Sequence, residues 1–373
     1  MERWISEGSW LDSVLGVLTR ILMPPFLQER VRDPEVGFGL FALTNLERIA
    51  HTFFWYFVVG MIAYALTVRW LGRSGVNRFE YALPIEKPGQ SGSFWSPFKY
   101  IVPRSFITHP SFKIDMLWMP FGWVLSFLGL YAITLGSGAV AGWLLQKLGP
   151  SVLAIPDGGV SIALQVIIIL LAKDLGRFAW HYQGHAVPFF WEFHKGHHSA
   201  EVLHPFGVRT HPIDMIIRNT YTGVGGGLIA GSLIYLLGMN FSLTAAAYAT
   251  TTLAVFQVAE NFEHSHISIS FGKFFDRFLY APYMHHFHHG AAERHYNKNL
   301  GIVGGLTLWD YLCGTLYRPT PGELVVWGAS MDEIGDKNPH RTLWGFFWTP
   351  FVEAFKTLKR RPSGLAQPAS TAT

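Results

Sequence analysis

The chain has 373 residues, half of them hydrophobic, 16% aromatic and only 14% charged, against about 25% charged residues in an ordinary soluble domain. Mean hydropathy is positive, which excludes a disordered protein and argues against a soluble enzyme. The formal net charge of +4 is scattered among apolar stretches with no basic, aromatic-interleaved patch, so nucleic acid is not an expected partner. A single cysteine, Cys313, rules out an intrachain disulfide and thiolate metal clusters.

Taken in chain order, residues 9–27 are apolar but interrupted by Asp12, Arg20 and Pro24-Pro25, and read as an interfacial helix. A helix needs about 20 mostly apolar residues to cross a bilayer. The runs 52–68, 116–146 and 219–259 contain no charged residue, and 158–172 is a shorter run that can borrow residues upstream. The run 219–259 is long enough for two spans, with Gly238-Met239-Asn240 as the turn of a helical hairpin. The expected fold is therefore all-α: a polytopic membrane bundle of about five spans with a cytoplasmic helical cap. Residues 86–97 read as a surface linker and 362–373 as a disordered end. The expected divisions are 1–115, a membrane-associated region with the first span; 116–320, a catalytic membrane domain; and 321–373, a cytoplasmic tail.

Sidedness follows from Lys and Arg, which collect in cytoplasmic loops. Residues 69–115 carry seven, 174–218 four and the segment after 259 eleven, whereas 147–157 has one and the hairpin turn none. Alternating spans put all the rich segments on one face, taken as cytoplasmic.

The 17 histidines are the unusual feature. His181 and His185 are four apart, so on a helix their rings share a face. His194, His197 and His198 follow at spacings of three and four, and His285, His288 and His289 repeat that pattern beyond the hairpin. With His264 and His266 these clusters offer about eight to ten nitrogens on one membrane face, which suits two metal ions better than one. Imidazole alone suits zinc, iron, copper and nickel. Zinc takes about four ligands, or three plus water, fewer than this set provides. Neutral ligands leave metal charge uncompensated, which makes Asp174 and Glu260 candidates for pairing with ring N–H groups or for ligation. Isolated histidines are most simply surface or capping residues, and this reading is given to His51, His109 and His340. His204, His266, His286 and His295 lie off the spacing and are read as non-ligands, while His211 falls between the two readings. The run Gly223-Val-Gly-Gly-Gly reads as helix packing rather than a phosphate loop.

His181-x3-His185, His194-x2-His197-His198 and His285-x2-His288-His289 together resemble the fatty acid hydroxylase and sterol desaturase superfamily of membrane-bound, histidine-rich di-iron oxidoreductases. Phe262-Glu-His264-Ser, Asn299-Leu-Gly, Leu308-Trp309-Asp310 and Gly314-Thr315 extend the resemblance, which covers about residues 168–317. It implies that His181, His185, His194, His197, His198, His285, His288 and His289 hold two iron ions, with His264 added and His211 a weaker inclusion. It also implies an O2-dependent reaction at an unactivated C–H bond of a lipid, giving an alcohol or an alkene. The lipid could be a sterol, a fatty acyl chain or an ether lipid, and electrons would come from a separate transfer protein. The expected location is a bacterial inner membrane or the endoplasmic reticulum, with the metal site on the cytoplasmic face. Two other functions fit the clusters: a zinc-dependent hydrolase within the membrane, and a metal-ion transporter. The second expects ionisable residues inside the spans, where the longest runs have none.

Overall fold

The computed structural model describes residues 50, 52–66, 80–82, 94–127, 137–149, 151, 153–207, 209–260 and 262–359. The interfacial helix expected at 9–27, His51, most of the linker at 86–97 and the end at 362–373 fall wholly or mainly outside them. The described chain is mostly helical. The helices are α1 (Thr52–Leu66), α2 (Ser96–Ile101), α3 (Arg104–Ile107), α4 (Pro110–Phe127), α5 (Ser137–Leu148), α6 (Gly159–Ala186) and α7 (Pro188–His198). They continue with α8 (Pro212–Asn219), α9 (Gly226–Leu236), α10 (Leu243–Glu260), α11 (Pro282–His288), α12 (Leu308–Cys313) and α13 (Leu343–Lys359). The sole described sheet pairs β1 (Glu80–Tyr81) with β2 (Leu324–Val325) in parallel. Among the described residues, α6 is the one helix long and apolar enough to cross a membrane, and α1 is apolar but shorter. Of the run 116–146, residues 116–127 lie in α4 and 137–146 in α5, and α4 begins at Pro110, so Lys113 and Asp115 lie within a helix and not in a loop.

The contacts divide the chain into two units. The first comprises, of the described residues, Ala50 and those within 126–180 and 216–259, with a core of Ile168, Ile169 and Ala172 from α6 against Ala230 and Ile234 of α9 and Ala249 of α10. The expected hairpin is here. Gly238 ends α9 with φ +65, and two hydrogen bonds, Gly238 N–H to Tyr235 O and Met239 N–H to Ile234 O, close a Schellman turn. A Cβ on Gly238 would lie 1.7 Å from the Leu153 carbonyl oxygen, so no other residue fits. Ser242 then caps α10 by accepting from Ala245 N–H. The Gln165 amide of α6 bridges this turn, donating to Asn240 O and accepting from Ser242 N–H. The glycine run is a packing feature: its second half begins α9, where a Cβ at Gly226 would crowd the Ala172 carbonyl at 3.2 Å.

The second unit comprises, of the described residues, segments 52–125, 181–215 and 260–359. One core gathers Tyr56 of α1, Tyr100 and Ile101 of α2, Phe262 and Ile267. A buried polar network ties α4 to the segment after α7. The Arg209 guanidinium pairs with Asp115, donates to the Ser111 carbonyl at 2.8 Å and reaches Ser199 Oγ at 3.3 Å, while His204 Nε2 donates to Asp115 Oδ2 at 2.9 Å. The C-terminal segment is not a bare tail. Helix α13 packs on α7, and a Cβ on Gly196 would stand 2.8 Å from the Phe346 ring, so glycine sets how closely the two helices approach.

Replacing Arg209 with Met would leave Asp115 buried without its guanidinium. Breaking a buried ion pair from one side costs about 3–5 kcal/mol. Denaturant unfolding of the purified chain in micelles is expected to register a loss of that size, and a loss within error of zero would contradict it.

Candidate metal centre

Two proline-started helices deliver the His-x-x-His-His clusters. Pro188 and Pro282 stand at the first turns of α7 and α11, where a missing N–H costs nothing and the fixed φ begins the helix. Only Val187 separates α6 from α7, and this corner brings His181 and His185 beside His194, with ring centroids 5.0 Å apart in both pairs.

Nine histidines gather in two groups, all within the second unit. Group A contains His181, His185, His194, His198 and His288, and group B contains His197, His264, His285 and His289. In each group one candidate ligand atom per residue lies within 4.8 Å of all the others. The groups abut: the His198 and His289 rings stack at 4.4 Å.

In group A the outward nitrogens fix the tautomer. His181 Nδ1 donates to Leu300 O at 2.7 Å, His185 Nδ1 to Asn297 Oδ1 at 3.3 Å, His194 Nδ1 to Asp214 Oδ2 at 3.0 Å and His288 Nδ1 to Lys298 O at 2.9 Å. Each partner is an acceptor, so each Nδ1 carries the proton and each Nε2 presents a lone pair. The Nε2 atoms of all five group A residues are buried and have no protein partner. Buried polar atoms are normally paired. Five converging nitrogens without partners, four of them fixed as lone pairs, are the donor set of a cation site.

Group B shows the same need differently. The Nε2 atoms of His264, His285 and His289 form a triangle with edges of 3.0, 3.1 and 3.2 Å. A neutral imidazole nitrogen is either a donor or an acceptor, not both. Around a triangle at least one edge must therefore join two donors or two acceptors, so hydrogen bonding alone cannot satisfy it. With metal–nitrogen bonds of about 2.0–2.1 Å, nitrogens at right angles around one ion lie about 3 Å apart. The residues present thus fit a metal ion in each group. Burial, and then repulsion from neighbouring rings, hold His197, His198, His285 and His289 well below their ordinary pKa, and burial brings His264 and His288 down to about 3. Those six rings are consequently neutral and able to ligate at physiological pH.

The loop that follows α11 supplies three of the four acceptors in group A, from Asn297, Lys298 and Leu300. Asn297 and Asn299 take left-handed φ values of 55 and 54, conformations asparagine tolerates better than most residues. Asp310 of α12 grips the loop by accepting from Leu300 N–H at 2.7 Å, Gly301 N–H at 2.8 Å and Thr315 Oγ1 at 2.6 Å. Asn299 donates to Met284 O and accepts from Tyr317 N–H. The Asn299-Leu-Gly, Asp310 and Thr315 motifs are therefore the frame that aims the acceptors.

Several expectations change. His211 is outside both groups. Its Nε2 donates to Phe347 O at 3.1 Å and its Nδ1 accepts from Ile213 N–H at 3.2 Å, so no lone pair remains for a metal. Neither Asp174 nor Glu260 belongs to a group. The Nδ1 of His181 is taken by a backbone carbonyl, and Glu263 Oε1 stands 3.8 Å from His264 Nδ1. The carboxylate that does pair with a group A ring is Asp214, whose signal in the sequence was its place two residues beyond the His211-Pro212 step. His340 is not a surface residue: it is 1% exposed, with neither ring nitrogen paired. His109 does act at a helix start, its Nδ1 accepting from Ser111 N–H of α4. His204, His266, His286 and His295 lie outside both groups and pair with Asp115, the Tyr100 carbonyl, the Phe262 carbonyl and Glu323.

A cleft of about 290 Å³ opens on His185, His198 and His288. Trp191, Lys195, Tyr296, Asn297, Ser330 and Glu333 form its other walls. The Lys195 ammonium donates to Glu333 Oε1 at 2.7 Å, leaving Glu333 Oε2 buried without a protein partner.

Residues 166–315 match the family model described as fatty acid hydroxylase. The chain is also 27% identical over 159 residues to an ornithine lipid hydroxylase of Rhizobium tropici, an overlap covering 42% of this chain and 43% of that one. The chain therefore spans less than half the length of that relative. No solved structure matches it.

Losing an outer-shell partner typically costs about 10–100-fold in metal affinity. Asp214→Asn is expected to weaken retention of a divalent ion by that factor in competition with a chelator, while His211→Asn leaves retention unchanged. Equal effects from both substitutions would remove the distinction between them.

Proposed function

We propose, from the premise that residues 166–315 are a fatty acid hydroxylase domain, that the chain is a membrane-bound oxidoreductase that hydroxylates a lipid. Group A and group B each hold one iron ion, and the ligands are His181, His185, His194, His198 and His288 in the first and His197, His264, His285 and His289 in the second. The observation that carries the reading is the set of five group A Nε2 atoms, buried and converging without hydrogen-bond partners, four of them fixed as lone pairs. Iron fits such a set because it accepts five or six ligands, whereas a tetrahedral zinc site needs about four. When bound, the metal pair supplies the reaction of dioxygen, two electrons and two protons with a C–H bond, giving an alcohol and water.

The chain's own residues do the rest. The Nδ1–H bonds to Leu300, Asn297, Asp214 and Lys298 hold four of the five group A rings in the ligating tautomer. Asp214 places one negative charge beside an otherwise neutral ligand set, offsetting part of the metal charge. Trp191 covers one side of group A, its ring 5.0 Å from His185 and 5.3 Å from His198, and limits water there. The cleft admits the substrate. Its hydrogen-bonding walls suit the polar part of a lipid better than a bare hydrocarbon chain, which fits the relative that acts on ornithine lipid. Electrons come from a separate protein, since one cysteine cannot build an iron–sulfur centre in this chain. The apolar runs of the sequence, α6 among them, embed the chain in a membrane.

The test is lipid mass spectrometry of cells with and without the gene, grown under 18O-labelled dioxygen, with iron analysis of the purified chain. A lipid species gaining one labelled oxygen atom is expected only where the gene is present. His197→Ala and His288→Ala should each reduce that species to background while the protein still sediments with membranes. Full labelling in either variant would remove its ligand assignment. Conversion without dioxygen, with zinc as the bound metal, would replace the reading by hydrolysis.

A further inference from the structure

Helix α13 has two apolar sides, only one of which the described residues cover. Phe346, Pro350 and Ala354 are buried, and this side backs α7: the Phe351 ring lies 5.4 Å from Phe193, and Phe346 meets Gly196 closely. On the other side Trp344, Trp348, Val352, Phe355 and Leu358 are between 42% and 73% exposed. At 3.6 residues per turn these five fall in one strip about 120° wide. Five large apolar side chains in register along one helix differ from the isolated exposed residues normal on a soluble surface.

The charges around the strip select its occupant. Lys356 borders it, Lys359 closes the helix, and the sequence continues Arg360-Arg361. Glu353, the helix's lone acidic residue, is engaged by Lys356 at 2.7 Å. Tryptophans at one end, Phe and Leu along the strip and cations beside it are the composition of a helix lying in a lipid interface, with the cations at anionic headgroups.

The geometry points to α13 as an in-plane membrane helix, with Trp344, Trp348, Val352, Phe355 and Leu358 seated among acyl chains and Lys356 and Lys359 at anionic headgroups. Because its buried side backs α7, which carries His194, His197 and His198, this seat holds the histidine groups at a fixed depth relative to the lipid surface. The seating stands without the proposed reaction. Its consequence for turnover rests on that reading.

The test uses the full chain in a Cys313→Ser background, which removes the lone exposed thiol. Nitroxides are placed at single cysteines replacing Trp348, Val352 or Phe355, with Asp336, whose side chain is 98% exposed, as the aqueous control. The chain is reconstituted into phosphatidylcholine vesicles containing phosphatidylglycerol. Labels on the strip should collide more with dissolved oxygen than with a water-soluble nickel chelate, and the label at 336 should do the reverse. Nickel access on the strip equal to that at 336 would overturn the seat. So would shielding of the strip from both reagents, which would mean that a second copy or another part of the chain covers it.

A second arm reads the consequence. Trp348→Glu combined with Phe355→Glu should keep the wild-type metal content and convert detergent-dispersed lipid, yet lose conversion of vesicle lipid severalfold. Wild-type conversion of vesicle lipid by this variant would overturn the coupling to the histidine groups. If the wild type itself converts no lipid, the proposed reaction has failed while the depth measurement still decides the seat.

Discussion

Nine imidazoles are packed into one interior in a state that the protein alone cannot satisfy. Group A turns five Nε2 atoms inward with no hydrogen-bond partner to meet them, and group B closes a triangle of nitrogens in which one edge must be repulsive. Protonating His197, His198 or His289 is no remedy, since burial and then repulsion from neighbouring rings oppose the charge. A cation among the nitrogens removes both conflicts at once. The stability of this part of the molecule is thereby linked to metal binding.

Much of the second unit can be understood as the apparatus that holds the rings against this conflict. The loop carrying Asn297, Lys298 and Leu300 supplies three acceptors, and Asp310 and Asn299 fix the loop in turn. Asp214 supplies the fourth acceptor from the turn that opens α8. Between these points the chain is pinned by Arg209, which joins Asp115 of α4 to the segment after α7. From the other side α13 backs α7 through a contact that only glycine at 196 permits.

The residues matched to the fatty acid hydroxylase family contain all nine histidines but not all of this apparatus. Asp115, Phe346 and Glu333 lie before or after the matched segment, yet they brace the neighbouring helices or line the cleft. The match therefore covers the histidine groups, while part of the cleft wall and helix α13 lie outside it.

The sequence by itself determined the helical class, the hairpin turn at Gly238 and the three clusters with His264, because hydrophobic run length, turn chemistry and ligand spacing are local properties. It also marked Asn299, Asp310 and Thr315, though not the task they perform. Only the tertiary structure decided how the clusters divide. In each His-x-x-His-His motif the first and last residues enter one group and the middle one enters the other: His194 and His198 join A while His197 joins B, and His285 and His289 join B while His288 joins A. Spacing of three and four places all three near one helix face, but consecutive residues point about 100° apart, and which neighbour each ring meets depends on the helix packed opposite. The same holds for His211 and Asp214. Their roles follow from the Phe347 carbonyl and the His194 ring, partners 136 and 20 residues away, which no local pattern specifies.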